Sequence, residues 1–138
     1  MAHYQSFEEL EIYQLARNIC QEVWSHIKNT PLSQDYKLRD QINSASGSIM
    51  DNIAEDFGRG GNKEFINFLS IARGSCTETR AQLQRAFDRR HLNENDYDML
   101  RNKCIELEDQ LSKFINYLKH SERKGAKFDG ASNNNNKK

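Results

Sequence analysis

At 138 residues, 36% of them hydrophobic, the chain has the size of one domain with enough apolar side chains to fill one core. Twenty Lys and Arg balance twenty Asp and Glu, so the overall charge does not advertise a nucleic-acid binder. No run approaches the roughly eighteen apolar residues of a membrane span and no charged-then-apolar leader opens the sequence, which predicts a cytoplasmic protein with no membrane partner.

The chain holds one proline and seven glycines, three of them at Gly58, Gly60 and Gly61, so long stretches carry no helix breaker and the expected class is all-α. The first helix is expected to start after Ser6, whose hydroxyl can cap free amides, with Glu8 and Glu9 favourable at the positive end of the dipole. Its core stripe reads Tyr13, Ala16, Cys20, Val23 and Ile27, and Thr30-Pro31 ends it, because a residue before proline avoids the helical region. Ile12, Ile19 and Trp24 widen that stripe. Together with Phe68 and Ile71 they are surplus to the needs of one small bundle, which predicts self-association.

The second helix is expected from about Gln34 to Glu55, with Leu38, Ile42, Ala45, Ile49 and Ile53 as its buried line. Gln41, Ser48 and Asn52, spaced seven and four apart, form a polar line beside it. The glycines around Arg59 stop this helix, and Asn62 can cap a third that carries Phe65, Leu69, Ala72, Cys76, Leu83 and Phe87. Gly74 lies in its middle, where glycine costs about 1 kcal/mol against alanine, so a close approach of another backbone is expected there. Asn93 caps the fourth helix, whose residues Tyr97, Leu100, Cys104, Leu107, Leu111, Phe114 and Leu118 step by 3, 4, 3, 4, 3 and 4, the seam of a helix packed lengthwise.

Short connections force neighbouring helices to run antiparallel, which gives an up-down-up-down four-helix bundle over residues 1–122. Residues 123–138, polar and basic, read as a disordered tail. Cys20, Cys76 and Cys104 form no C-x-x-C pair and read as small buried apolar residues of a reducing compartment.

The stretch from Gln41 to Glu55, with Ser48-Ile49-Met50-Asp51-Asn52-Ile53-Ala54-Glu55 as its most specific part, resembles the signature of the bacterial 23S rRNA intervening-sequence proteins, the four helix bundle proteins. Glu64-Phe65, Phe68-Leu69 and Ile71 through Glu78 resemble the third-helix motif of that family, and Phe7-Glu8-Glu9-Leu10 with Ala16 resembles its start. The likeness covers roughly residues 7 to 118, with Asp56 standing where the family usually has glycine. The resemblance implies a homo-oligomer, commonly a pentameric ring, with no enzymatic activity. A related branch of similar bundles serves as accessory subunits of reverse transcriptases in diversity-generating retroelements, which adds RNA or DNA and such an enzyme to the partners the resemblance implies.

Two sets of residues are singled out as candidate sites. From Arg59 to Arg90 there are seven basic residues, Arg59, Lys63, Arg73, Arg80, Arg85, Arg89 and Arg90, against three acidic ones, whereas Asn93 to Glu122 has four basic against seven acidic. The basic set is either a nucleic-acid-binding face, where repeated phosphate contacts would add in a ring, or a solvated face, or one paired with the acidic fourth helix of the same or a neighbouring subunit. Gln41, Ser48 and Asn52 are expected to meet Ser75 and Glu78 as a structural hydrogen-bond network; the functional alternative makes Asn52 and Glu55 a ligand or catalytic pair. Neither a catalytic set nor a metal or cofactor motif is present: Asp88 and His91 have ligand spacing once, beside a helix end, and Gly58-Arg59-Gly60-Gly61 lacks the strand and lysine of a phosphate loop.

Overall fold

The structure is a computed structural model that describes residues 6–55, 57 and 62–132, of which 122–132 by backbone alone. The described residues form four helices and no strand: α1 Glu11–Asn29, α2 Tyr36–Glu55, α3 Asn62–Asp88 and α4 Glu94–Ser132. Each helix packs on its neighbour in the chain, and α1 closes the ring against α4. This is the all-α, up-down-up-down bundle expected from the short connections.

The start differs from the expectation. Ser6 precedes only a short 3₁₀ turn, Phe7–Glu9, and its hydroxyl caps nothing. Leu10 then adopts an extended conformation and is buried, and α1 begins after it. Within α1 two stripes of helical spacing share Ala16, Val23 and Ile27, and the structure seats Ile12 and Ile19 between them, leaving Tyr13 and Cys20 half-buried. Branched aliphatic side chains lose nothing in a dry core, whereas a tyrosine hydroxyl does, and the half-buried Tyr13 meets Phe7 edge-on, with ring centroids 4.8 Å apart. Ile12 and Ile19 are therefore covered within the chain; of the five residues assigned to self-association, Trp24 and Ile71 stay exposed and Phe68 is half-buried.

Pro31 opens a 3₁₀ turn, Pro31–Gln34, which the Thr30 hydroxyl caps by accepting from the Leu32 amide at 3.2 Å. This turn takes Gln34 out of α2. At the end of α3, Arg90 has φ 63°, and the Arg90 and His91 amides donate to the Phe87 and Ala86 carbonyls at 2.9 and 2.8 Å. That is a Schellman cap with arginine where glycine is usual. Asn93 caps α4 as expected, its Oδ1 accepting from the Asp96 amide at 2.8 Å.

The α4 seam is buried as expected except at Phe114, which is half-buried while Ile115 takes its inward place; Leu118 is buried again. The helix then continues ten residues beyond residue 122, to Ser132, into the stretch expected to be a disordered tail. Residues 133–138 of that tail lie outside the described residues, as do Asp56, Arg59 and the three neighbouring glycines. Gly74 is another correction: a Cβ built there meets nothing within 4 Å. It is exposed on α3, and among the described residues no other helix brings its backbone close to it.

Among the described residues no helix is long and apolar enough to cross a membrane.

Candidate nucleic-acid interface

Helix α3 contributes residues to both candidate sets, and it contacts α2 on one flank and α4 on the other. On the α2 flank, Ser48 and Ser75 share a hydrogen bond at 3.0 Å, and Asn52 Nδ2 donates to both the carbonyl and the hydroxyl of Ser48 at 2.8 and 2.9 Å. Three of the five network residues thus meet at the middle of the seam. Gln41 joins a second group, its Oε1 accepting from Arg85 Nη2 at 2.8 Å, while Glu78 is exposed and outside both. Two polar residues of this seam are not among those the sequence singled out. Thr79 is fully buried and donates to the Ser75 carbonyl at 2.9 Å, and buried Gln82 accepts from Arg85 at 2.6 Å. They stand four and seven residues after Ser75, the spacing that repeats a helix face, so the signal was available in the same stripe.

The basic residues divide into three kinds. Arg80 Nε lies 3.3 Å from Glu108 on α4, and Arg89 Nη1 donates to Asp35 at 2.8 Å, so their charges are locally cancelled. Arg73 donates to the Ser112 hydroxyl at 3.1 Å and Arg85 to the amide oxygens of Gln41 and Gln82, neutral acceptors that fix a guanidinium without cancelling its charge. Lys63 and Arg90 are exposed. Arg59, the seventh, lies outside the described residues.

Asp35 is the hub of the bundle end that carries the α3–α4 link. It accepts from Arg89 and pairs with His91 Nε2 at 2.9 Å, and these hydrogen bonds, Arg89's first, hold its carboxyl below the usual aspartate range. Asp88, at ligand spacing from His91 in the sequence, does not join it there but accepts from Gln84 at 3.0 Å. Cys76 and Cys104 are buried across the α3–α4 seam, with the Cys76 thiol donating to the Cys104 carbonyl at 3.3 Å. The hydrogen bonding with Cys104 and burial push that thiol well above its ordinary range, which keeps it protonated and a poor nucleophile. Cys20 is only half-buried. Among the described residues no group of three or more His, Cys, Asp or Glu converges on a point that could hold a metal ion.

The model of the 23S rRNA-intervening sequence protein family matches residues 8–113. The chain belongs to that family. A solved structure from Bacteroides thetaiotaomicron VPI-5482, described as a protein with unknown function from the S23 ribosomal protein family, superposes with a TM-score of 0.70 over 75% of this chain and 97% of its own length, at 22% identity. At that identity the likeness bears on the fold alone, and it is the fold of this family member that it supports. No curated protein matches the chain.

Proposed function

We propose that this family member is a non-enzymatic, homo-oligomeric binding module whose α3 face docks nucleic acid. The observation that carries the reading is the uncancelled charge of Arg73 and Arg85, each guanidinium fixed by neutral acceptors, on the same helix as exposed Lys63. Arg90 supports it too, for an exposed arginine occupies a left-handed position where glycine would be less strained, and such strain is retained where the side chain is useful. Of the partners implied by the resemblance, nucleic acid is the one these residues are equipped to meet, by phosphate contact. A nucleic-acid enzyme such as a reverse transcriptase would then meet the module on the same template.

The test is labelled RNA and DNA titrated with the full chain across a salt series from about 50 to 200 mM. Removing one cation that neutralises a phosphate should flatten the slope of log K against log salt by about 0.7 to 0.9. The Arg73→Gln, Arg85→Gln double variant is therefore expected to bind more weakly with a shallower slope, and an unchanged slope would count against the α3 face.

A second reading, a protein-interaction oligomer without nucleic acid, is favoured by a different observation. Arg80 and Arg89 are already paired with carboxylates, and Ile71 is 52% exposed on the outward face of α3. Light scattering of Ile71→Ser against wild type separates a patch used for association from one that is merely exposed.

A further inference from the structure

The α1–α2 side of the bundle carries a feature that the basic helix does not share. An open groove of about 370 Å³ runs where the end of α1 meets the Pro31–Gln34 turn and the start of α2, lined by Trp24, Lys28, Arg39, Asp40 and Asn43 among others. Trp24 is 49% exposed, and Tyr36, beside the groove at the first turn of α2, is 60% exposed. The Arg39 guanidinium lies 4.9 Å above the Tyr36 ring and is itself held in place, Nε by Asp40 at 3.0 Å and Nη1 by the Ser33 carbonyl at 3.3 Å. A stacked arginine with fixed hydrogen bonds is a rigid planar surface, and the indole of Trp24 is a second planar surface on the other helix.

Aromatic and guanidinium planes with cations alongside are what a protein offers to an unpaired base. A duplex hides its base faces, so these planes discriminate for single strands. The exposed Lys28 supplies a point charge for the adjoining phosphate, and the exposed Asn43 side chain has both a donor and an acceptor for a base edge. Asp40, the acidic residue of the lining, is neutralised by Arg39, which leaves Lys28 to set the sign of the groove. We propose that this α1–α2 groove is a base-stacking site for single-stranded nucleic acid, with Trp24 and the Arg39–Tyr36 pair as its platforms. The inference rests on the nucleic-acid reading above but uses a different face, so the two can fail separately.

Trp24 is the single tryptophan of the chain, which makes it the reporter. The full-length protein is titrated with single-stranded oligonucleotides of about twelve nucleotides, the matching duplex, and a nucleoside monophosphate. Binding of the same labelled strands is followed by anisotropy for wild type, Trp24→Ala, Trp24→Phe and the Arg73, Arg85 double variant. The expected result is saturable quenching of Trp24 by single strand, weaker quenching by duplex, about tenfold or greater loss of affinity in Trp24→Ala, and recovery of most of it in Trp24→Phe. Circular dichroism of Trp24→Ala checks that the helices remain, since a half-exposed indole is not a core side chain.

Strand binding that depends on Arg73 and Arg85 but leaves Trp24 fluorescence and Trp24→Ala affinity unchanged overturns this inference and spares the α3 reading. The converse pattern supports it and removes the α3 face. Quenching by the mononucleotide without strand binding overturns it in favour of a free-nucleotide site. If acrylamide cannot reach Trp24 in the free protein, the groove is closed by a second copy of the chain and the inference is overturned, and no strand binding at about 50 mM salt sinks both readings.

Discussion

The two sides of the bundle use their polar and aromatic groups differently. Between α3 and α4 and between α2 and α3, the long polar side chains reach across to another helix: Arg73 to Ser112, Arg80 to Glu108, Arg85 to Gln41, Ser75 to Ser48. Around the α1–α2 groove the indole of Trp24 and the ring of Tyr36 are left half or more exposed, and the polar contacts there stay local, Arg39 with Asp40 and Ser33. A count of charges along the chain points to α3 as the surface that waits for a partner, yet much of its charge is engaged inside the molecule. What is free to bind is decided by which acceptors the fold brings within reach, and charge density alone does not report that.

The comparison depends first on the register of α1, because turning that helix by one residue moves Trp24 relative to the groove. Ile19 is fully buried and Cys20 half-buried. Ile19→Ala should therefore cost about 2 to 5 kcal/mol in urea unfolding, the range for a truncated core aliphatic, while Cys20→Ala should cost far less. Equal costs, or the reverse order, would mean that the other stripe faces the core and that the exposed face of α1 is misassigned.

That ambiguity also marks how far the sequence could be read. The four helices, their antiparallel order, the Asn93 cap and the α4 seam through Leu111 follow from spacing alone, because each is a local rule applied to long segments. The α1 stripe does not: Tyr13 and Cys20 fit the same period as Ile12 and Ile19, and only contact with Phe7 and the other helices chooses between them. The candidate site was legible by residue type and not by pairing. Spacing placed Ser48 and Asn52 on one flank and left Ser75 to meet them, but Glu78 lies too far round α3, where it is exposed. Gln41, one of the two acceptors of Arg85, and Asp35, the acceptor of Arg89, lie 44 and 54 residues earlier in the chain, beyond any local rule. Gly74 invited an inference about packing, and open space lies over it instead.

Satisfied polar atoms on the closed side predict the next largest effect. Ser75→Ala removes the hydroxyl that meets Ser48 while Asn52 keeps its own contacts with Ser48, so the loss should be about 1 kcal/mol. A drop well above the roughly 3 kcal/mol cost of an orphaned buried polar group would show that the whole seam acts as one network. Arg90→Gly runs the other way. Relief of the left-handed arginine should raise stability by about 1 kcal/mol, with a fall in salt-sensitive nucleic-acid binding if Arg90 contacts phosphate.

Acid sharpens the comparison at the end of the bundle where the closed side is tied to the start of α2. The Asp35 carboxyl titrates lower in the folded protein than its ordinary 3.8, so the folded state holds fewer protons on it than the unfolded chain. Its contribution is fully present above pH 3.8 and is lost as pH falls through the depressed folded value. Asp35→Asn should accordingly be less stable than wild type near neutrality, with the difference shrinking in acid below that window. A difference that stays constant with pH would assign the effect to packing and not to the ion pair with Arg89 and the hydrogen bond with His91.

The smallest expected effect belongs to Arg80 and Glu108. Both side chains are partly exposed, at 32% and 20%, and the 3.3 Å approach of Arg80 Nε does not make a hydrogen bond to Glu108 Oε2, which is buried and otherwise unpartnered. Coulomb attraction at that distance is weakened by solvent, and burial of the oxygen costs the carboxylate hydration, so the coupling should fall within about 0.2 to 1 kcal/mol. A double-mutant cycle with Arg80→Gln and Glu108→Gln measures it directly, and salt should diminish it. A coupling of several kcal/mol would mean that α3 and α4 are held by charge as much as by Cys76, Leu83, Cys104 and Leu107. A coupling near zero would mean that Arg80 can leave Glu108 at little cost, which would return a positive charge to the α3 face and narrow the contrast between the two sides of the bundle.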